Sequence, residues 1–371
     1  MFLIIGIILL IIALLPYIAY LFGISFGKKP IKTDFPKNYP KISIIISAYN
    51  EERVIGDRIA NLTQCHYPQE LYEIIFVDDC SSDNTLVCAK TGLEKSGIEF
   101  QIIENKERLG TSRSYNLAIK LAQCPIILTT DADVFFEPYA IDYLIGRLIS
   151  NPKIAAVTGE LRPLANENNT TKLEGAYRSY YGRMCDWESS VDSTYNFNGA
   201  LVAFRTDLIR RINDKQGADD ANTAFEAIRK GYRAVYESRA VVFEEIPPSF
   251  KEQYTQKIRR ATQLIEATLV NLDLLKIDRP FTRFFYPLRF FLYIFTPILT
   301  FISLFLLIIG LFYANPVILL ILLVLILGIG IAWRQNIFNA FIVNQFYLMR
   351  GLLNLGKDTR IWESTSNKGN K

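Results

Sequence analysis

Three times between Lys41 and Val134 the chain repeats one design: a short run rich in Ile and Val stops on carboxylates and gives way to a helical pattern. Lys41-Ile-Ser-Ile-Ile-Ile-Ser-Ala48 leads into Tyr49-Asn-Glu51-Glu52, Leu71-Tyr-Glu-Ile-Ile-Phe-Val into Asp78-Asp79, and Cys124-Pro-Ile-Ile-Leu-Thr-Thr into Asp131-Ala-Asp133. Apolar runs of this kind read as strands buried on both faces, and the stretches between them, Val54 to Leu62 and Ser112 to Ala122, as helices. A further run, Phe100 to Glu104, falls between the second and the third. The alternation predicts an α/β fold with a doubly wound, mostly parallel, nucleotide-binding sheet. Ligands bind outside the carboxyl ends of such strands, so all three sets of acids are expected at one edge.

A D-x-D pair there, Asp131 and Asp133, suits a hard divalent cation that grips a diphosphate through oxygen ligands. The plainer alternative is a polar turn in which Asp133 caps the following helix. Neither a G-x-G-x-x-G nor a G-x-x-x-x-G-K-[ST] occurs, so phosphates must be held by metal and side chains. With a single histidine, His66, acid/base work falls to carboxylates. Five scattered cysteines without a C-x-x-C argue against zinc and disulfides and fit a reducing compartment. A net charge of +4 is too small to argue for nucleic acid.

The apolar residues pile up at the two ends. Phe2 to Phe22 is nearly unbroken Ile, Leu and aromatic, about the 20 residues that a spanning helix needs. It lacks the basic leader and cleavage site of a signal peptide and is expected to be a retained anchor. Lys28 and Lys29 follow, so the N-terminus is expected outside and everything after Lys28 in the cytoplasm. Near the other end, Phe284 to Tyr293 reads as an interfacial segment, followed by spans at Leu292 to Tyr313 and Pro316 to Trp333. Ile337 to Leu353 carries Asn344, Gln345 and Arg350 and is either a third span or an amphipathic helix on the inner surface. The expected organisation is an anchor over 1–27, a cytoplasmic domain over 28–280, interfacial and spanning helices over 281–355 and a cytoplasmic tail over 356–371.

The strand ending in Ser47-Ala-Tyr-Asn-Glu51, the Asp78-Asp79-Cys-Ser81, the D-x-D and the later Asp219-Asp220 before a helix resemble the inverting glycosyltransferases of family 2. The resemblance runs from Ile42 to about Thr262 and implies a GT-A type fold. It implies that Ala48, Tyr49, Glu51 and Asp79 line the base and ribose pocket of a nucleotide sugar, expected to be UDP-linked. Asp131 and Asp133 would then sit beside the sugar and a Mg2+ or Mn2+, with Asp133 as direct ligand. The family's basic residue after Gly110 is Thr111 here, leaving Arg108 or Arg113 as the donor contact; Arg113 is the one carried forward. Asn198 to Arg205 resembles the small-residue strand beneath the acceptor, with Gly199 letting a sugar approach. Asp220 corresponds to the general base, beside Asp219. Gln256, Arg259 and Arg260 fall on the Q-x-x-R-W of cellulose, chitin and hyaluronan synthases, with Arg260 in place of the tryptophan, which weakens a processive reading.

The expected activity is metal-dependent hexosyl transfer with inversion to a polysaccharide or lipid-linked saccharide at a membrane. Polyprenyl-phosphate hexosyl transfer and a catalytically silent nucleotide-sugar-binding subunit are the alternatives. Arg162 to Asn169 and Arg178 to Asp192 are expected as polar acceptor-side loops.

Overall fold

The computed structural model describes residues 1–164, 169–247, 249–322, 324 and 337–357. The strands are β1 (Ile42–Ala48), β2 (Tyr72–Asp78), β3 (Glu99–Glu104), β4 (Ile126–Asp131), β5 (Val134–Phe136), β6 (Ile154–Pro163), β7 (Val202–Arg205) and β8 (Arg233–Glu244). They form one sheet in the order β3-β2-β1-β4-β7-β6-β8-β5. Helices α2 (Ile55–Thr63), α3 (Thr85–Ser96), α4 (Thr111–Leu121) and α5 (Ala140–Ile149) cover it. Because successive strand residues point to opposite faces, Ile45, Ile75 and Ile127 enter one core and Ile44, Ile74 and Leu128 the other.

The half from β3 to β4 is parallel, as expected. Beyond β4 the sheet is mixed, because β7 runs antiparallel to both β4 and β6. The inversion has a local cause. After helix α6 (Asn169–Val191) the chain rises in extended form, with Thr194 N bonded to Ala234 O and Asn198 N to Thr158 Oγ1 at 3.3 Å. It then folds back through a turn at Gly199 and Ala200 before β7 descends. Asn198 and Gly199 therefore precede the strand in which they were expected. The stretch Arg178 to Asp192 was expected as a loop but is the body of α6. Its buried positions mix Met184 and Cys185 with Glu188, Ser189 and Ser190, so no continuous apolar stripe reveals it. The expected loop Arg162 to Asn169 lies partly outside the described residues.

Among the described residues two helices are long and apolar enough to cross a membrane: α1 (Phe2–Phe26) and the long helix Phe281–Ala314. The second absorbs the segment expected to lie in the interface. π-type turns at Phe281–Phe285 and Phe291–Phe295 precede Pro287 and Pro297, which lack the N–H of a regular turn. The two helices run antiparallel, since Ser303 Oγ bonds to Gly6 O (2.8 Å) and Thr296 Oγ1 to Ala13 O (3.2 Å). Small residues at the seam, Gly6 and Gly310, let the backbones approach. Most of the expected span Pro316 to Trp333 lies outside the described residues. The last helix, Ile337–Leu353, lies on α8 (Phe250–Val270), with Gly351 against Ala261.

One buried ion pair ties these helices to the sheet domain. Arg289 Nε donates to Glu188 Oε1 of α6 at 2.6 Å, Tyr20 of α1 donates to the same oxygen, and all three side chains are at most 1% exposed. Removing one partner of a buried pair leaves an uncompensated charge, a loss of about 3–5 kcal/mol, whereas replacing both by apolar groups is often near neutral. Arg289→Met and Glu188→Met are each expected to lower Tm in detergent, and the double variant to lose less than the sum of the two. Additive losses in a double-mutant cycle would contradict the pairing.

Candidate active site

The loops after β1 and β2 are laced together at the carboxyl edge. Asn50, at φ 54°, accepts from Ser82 N at 2.8 Å, and Glu51 N donates to Thr85 Oγ1 at 2.7 Å. Ala48, Tyr49, Glu51, Asp79, Asp131 and Asp133 are brought around one pocket of about 50 Å3. Asp79 does more than face it. Its Oδ1 accepts from Asn105 Nδ2 and Leu109 N, both at 2.8 Å, and from Ser114 Oγ at 3.2 Å; its Oδ2 accepts from Gly110 N at 2.9 Å. The carboxylate is thus a clasp for the loop that enters α4. Arg108 lines the pocket, with its guanidinium 3.2 Å from the Tyr49 ring centre and 3.5 Å from Asp79. Arg113 is exposed on α4 and is not among the pocket residues. Asp78 instead accepts from Ser81 N at 3.0 Å, and His66 pairs with Asp142 at 2.8 Å.

Asp131 and Asp133 close the pocket at the end of β4. Behind them lies Arg58, fully buried, which donates to Thr130 Oγ1 (3.1 Å) and Asp131 O (3.4 Å) and stacks on Phe136. Tyr115 donates to Thr130 O at 3.1 Å, and Thr130 Oγ1 to Ala200 O at 2.7 Å, which fixes the Gly199 turn against β4. A side chain at Gly199 would begin 3.9 Å from Asp131 Oδ2. Burial and neighbouring acids push Asp131 up to about 6 and Asp133 to about 7. Two carboxylates crowded in this way form a hard-oxygen donor pair that a divalent cation would relieve, so the residues present fit Mg2+ or Mn2+. Among the described residues no group of three His, Cys, Asp or Glu side chains gathers that could hold a metal ion, so Asp131 and Asp133 are the pair that would hold one.

Asp219 and Asp220 open α7 (Asp219–Arg229). Gly217 before them has φ +79°, and a Cβ there would meet the α8 backbone at Ala267 at 2.7 Å, so only glycine brings the start of α7 this close to α8. Asp220 Oδ1 accepts from Ala221 N at 2.6 Å, and no side chain caps the helix. Burial, Asp219 and Asp131 raise Asp220 to about 8, and burial raises Asp219. The field of the helix N-terminus works in the opposite direction and loses.

On α8, Gln256 and Arg260 share a face and both bind Glu244, at the end of β8, which also takes Arg178 Nη2 at 2.9 Å. These guanidinium groups hold Glu244 down at about 2 despite its burial. Arg259, one position along, is pushed down to about 10 by burial and lies within the electrostatic reach of Asp131, Glu244 and Asp219. Glu244, Arg178 and Arg58 escape sequence reasoning, because nothing near them in the chain marks their partners. Next to this cluster lies a cavity of about 260 Å3 whose lining mixes charged residues, Glu160, Arg178, Lys257 and Arg260, with apolar ones, Leu264, Val343 and Leu348.

Residues 43–209 match the family described as Glycosyl transferase family 2. The chain is similar to the probable glycosyltransferase YdaM of Bacillus subtilis (strain 168), 27% identical over 278 residues covering 71% of this chain and 66% of that one. It is also similar to the poly-beta-1,6-N-acetyl-D-glucosamine synthase of Staphylococcus epidermidis, 25% identical over 225 residues, 59% of this chain and 53% of that one. It thus spans between about half and two thirds of these relatives. Among solved structures it matches the mannosyltransferase PcManGT from Pyrobaculum calidifontis in complex with GDP-Man and Mn2+, with a TM-score of 0.81 at 22% identity, covering 95% of this chain and 98% of that one. At that identity the likeness is one of fold.

The raised carboxyls set a pH dependence. Each stabilises the fold while protonated in both states, below the ordinary value of about 4. That contribution is lost as pH rises through the folded values of about 6, 7 and 8 for Asp131, Asp133 and Asp220. Without divalent cation, Tm is expected to fall by several degrees between about pH 5 and 8.5, to recover with Mn2+, and to fall less in Asp133→Asn. A cation-free Tm that stays flat over this window would contradict the charge crowding.

Proposed function

We propose, on the premise that residues 43–209 are a glycosyl transferase family 2 domain, that this chain is a membrane-anchored, metal-dependent, inverting glycosyltransferase. The observation that carries the reading is the approach of two buried carboxylate pairs from separate elements, Asp131 with Asp133 and Asp219 with Asp220, close enough that Asp219 adds to the raised pKa of Asp131 and Asp131 to that of Asp220.

Tyr49, Glu51 and Asp79 receive the base and ribose of a nucleoside diphosphate sugar, with Arg108 rather than Arg113 as the basic contact. Asp131 and Asp133 hold the Mg2+ or Mn2+, which when bound neutralises charge on the departing diphosphate. Asp220 takes the proton of an acceptor hydroxyl. The oxygen forms its bond to the anomeric carbon from the face opposite the diphosphate, and the bond to the diphosphate oxygen breaks with its electron pair, which inverts the centre. Burial makes Asp220 basic enough for this near neutral pH. In this reading Arg259 steadies the diphosphate, while Gln256 and Arg260 are engaged by Glu244. A UDP-linked donor remains the expectation. The fold relative named with GDP-Man and Mn2+ puts GDP-mannose beside UDP-sugars in any screen.

The acceptor reading rests on the neighbouring cavity. Its lining mixes charged side chains with apolar ones, part of it from the long helix and the last helix, which favours an amphiphile, a lipid-linked saccharide rather than a growing polymer. The outward apolar residues of α1 and of the helix Phe281–Ala314 fit anchoring, with the N-terminus outside.

The test is a donor screen on purified protein in nanodiscs with Mn2+ and membrane lipids, following release of nucleoside diphosphate. One donor is expected to be turned over. Asp220→Asn is expected to retain donor binding and to lose about 10²–10⁴-fold in turnover. Unchanged turnover in Asp220→Asn would place the base elsewhere, and donor binding without turnover in any lipid would favour the silent subunit. A long polymeric product would overturn the amphiphile reading.

A further inference from the structure

The catalytic reading leaves one built cavity unused. It has a volume of about 200 Å3 and is lined by Lys29 and Lys32 of the segment leaving α1, Arg147 of α5, Asp186 and Ser189 of α6, and Arg239 of β8. The segment lies over it as a strap fastened at both ends. Ser190 Oγ donates to Lys28 O at 2.9 Å, and Arg239 Nη2 donates to Thr33 O at 2.8 Å. The two lysines between these fastenings are exposed and reach the cavity from the outside.

Arg147 reaches it from within. The residue is 3% exposed, its Nε is buried without an acceptor, and among the described residues it makes no side-chain hydrogen bond or ion pair. The nearby carboxylates do not supply one. Glu237 is occupied by Arg239, with Nε to Oε1 at 2.8 Å and Nη2 to Oε2 at 2.9 Å. Asp186 is raised to about 7 by burial and by Glu237, so it offers little negative charge below neutral pH. With Arg239 and Glu237 cancelling, the remaining charges on the wall are Arg147, Lys29 and Lys32 against Asp186. A buried guanidinium with an unused donor, open to a cavity, is a strong demand for an anionic acceptor.

We propose that this cavity binds a phosphate-bearing anion, with Arg147 donating to its oxygens and Lys29 and Lys32 sharing its charge. The position names a source. The strap begins where α1 ends, beside Trp187 and the exposed Phe26, so in a bilayer the cavity lies at headgroup depth, and the phosphate is that of an anionic phospholipid. The lipid source, unlike the anion site, rests on the membrane reading above.

The experiment uses the full chain. In detergent, inorganic phosphate is titrated at constant ionic strength while Tm is followed. In nanodiscs, phosphatidylcholine alone is compared with phosphatidylcholine containing phosphatidylglycerol, and retained lipid is counted by native mass spectrometry after extraction. Phosphate is expected to raise Tm, and phosphatidylglycerol is expected to be retained. The Lys29→Gln/Lys32→Gln variant, altered only at exposed positions, is expected to weaken both by about tenfold, and Arg147→Gln by more. Donor binding in the lysine variant is expected to match that of the parent, which separates this site from the diphosphate pocket. Phosphate stabilisation without lipid retention would overturn the lipid source and leave a soluble phosphate site. Responses to both ligands that are the same in the lysine variant and the parent would overturn the site itself, whatever becomes of the glycosyltransferase reading.

Discussion

Everything in this molecule meets at the ion pair between Arg289 and Glu188. It joins the long helix to α6, and Tyr20 adds α1 to the same carboxylate. A charge pair sealed from water fixes direction as well as distance, because each oxygen and each N–H must find its partner. With α6 pinned near its end, Asp192 accepts Phe281 N at 2.9 Å and is clamped by Arg279, so the start of the long helix and the exit of α6 are set together. From that exit the chain rises to the turn at Gly199 and Ala200. The orientation of the apolar helices and the turn beside Asp131 therefore share one origin.

At the carboxyl edge, stability yields to function. Burial raises the carboxyls of Asp131, Asp133, Asp219 and Asp220, and neighbouring acids add to the shift at Asp131, Asp133 and Asp220. A fold selected for stability alone has no use for such crowding. The arrangement is tolerable because a second carboxylate, Glu244, is fully compensated. By engaging Arg178, Arg260 and Gln256 it fixes α8 rigidly, and that rigidity holds Arg259 near the uncompensated acids.

What was legible in the sequence follows from the range of the interactions. Strands β1, β2 and β4 and their terminal acids are local patterns, so the parallel half of the sheet and the convergence of Glu51, Asp79, Asp131 and Asp133 could be read directly. The inversion of β7 could not, because it depends on a turn held by Thr130 and Thr158 from other strands. Helix α6 shows no legible apolar stripe because Met184 and Cys185 share its buried positions with Glu188, Ser189 and Ser190, and the partners of Glu188 and Ser190 lie as far away as Arg289 and Lys28. Arg113 was preferred to Arg108 on a family position, yet the clasp of Asp79 on Leu109 N and Gly110 N turns Arg108 inward and leaves Arg113 on the exposed face of α4.

Helix α8 joins the apolar helices to the cluster of charges. Arg260 engages Glu244 from it, Arg259 lies within the electrostatic reach of Asp131 and Asp219, and Lys257, Ala261 and Leu264 line the neighbouring cavity. The last helix rests on it, with Gly351 so close to Ala261 and Thr262 that any side chain there would push the two helices apart. Tyr254 packs against Phe346 and Tyr347 one turn further on. Because packed interiors resist small displacements, a shift of the last helix against α8 moves the cavity wall and the two arginines together. The position of an apolar helix and the charge balance of the cleft are thus set by a single packing interface.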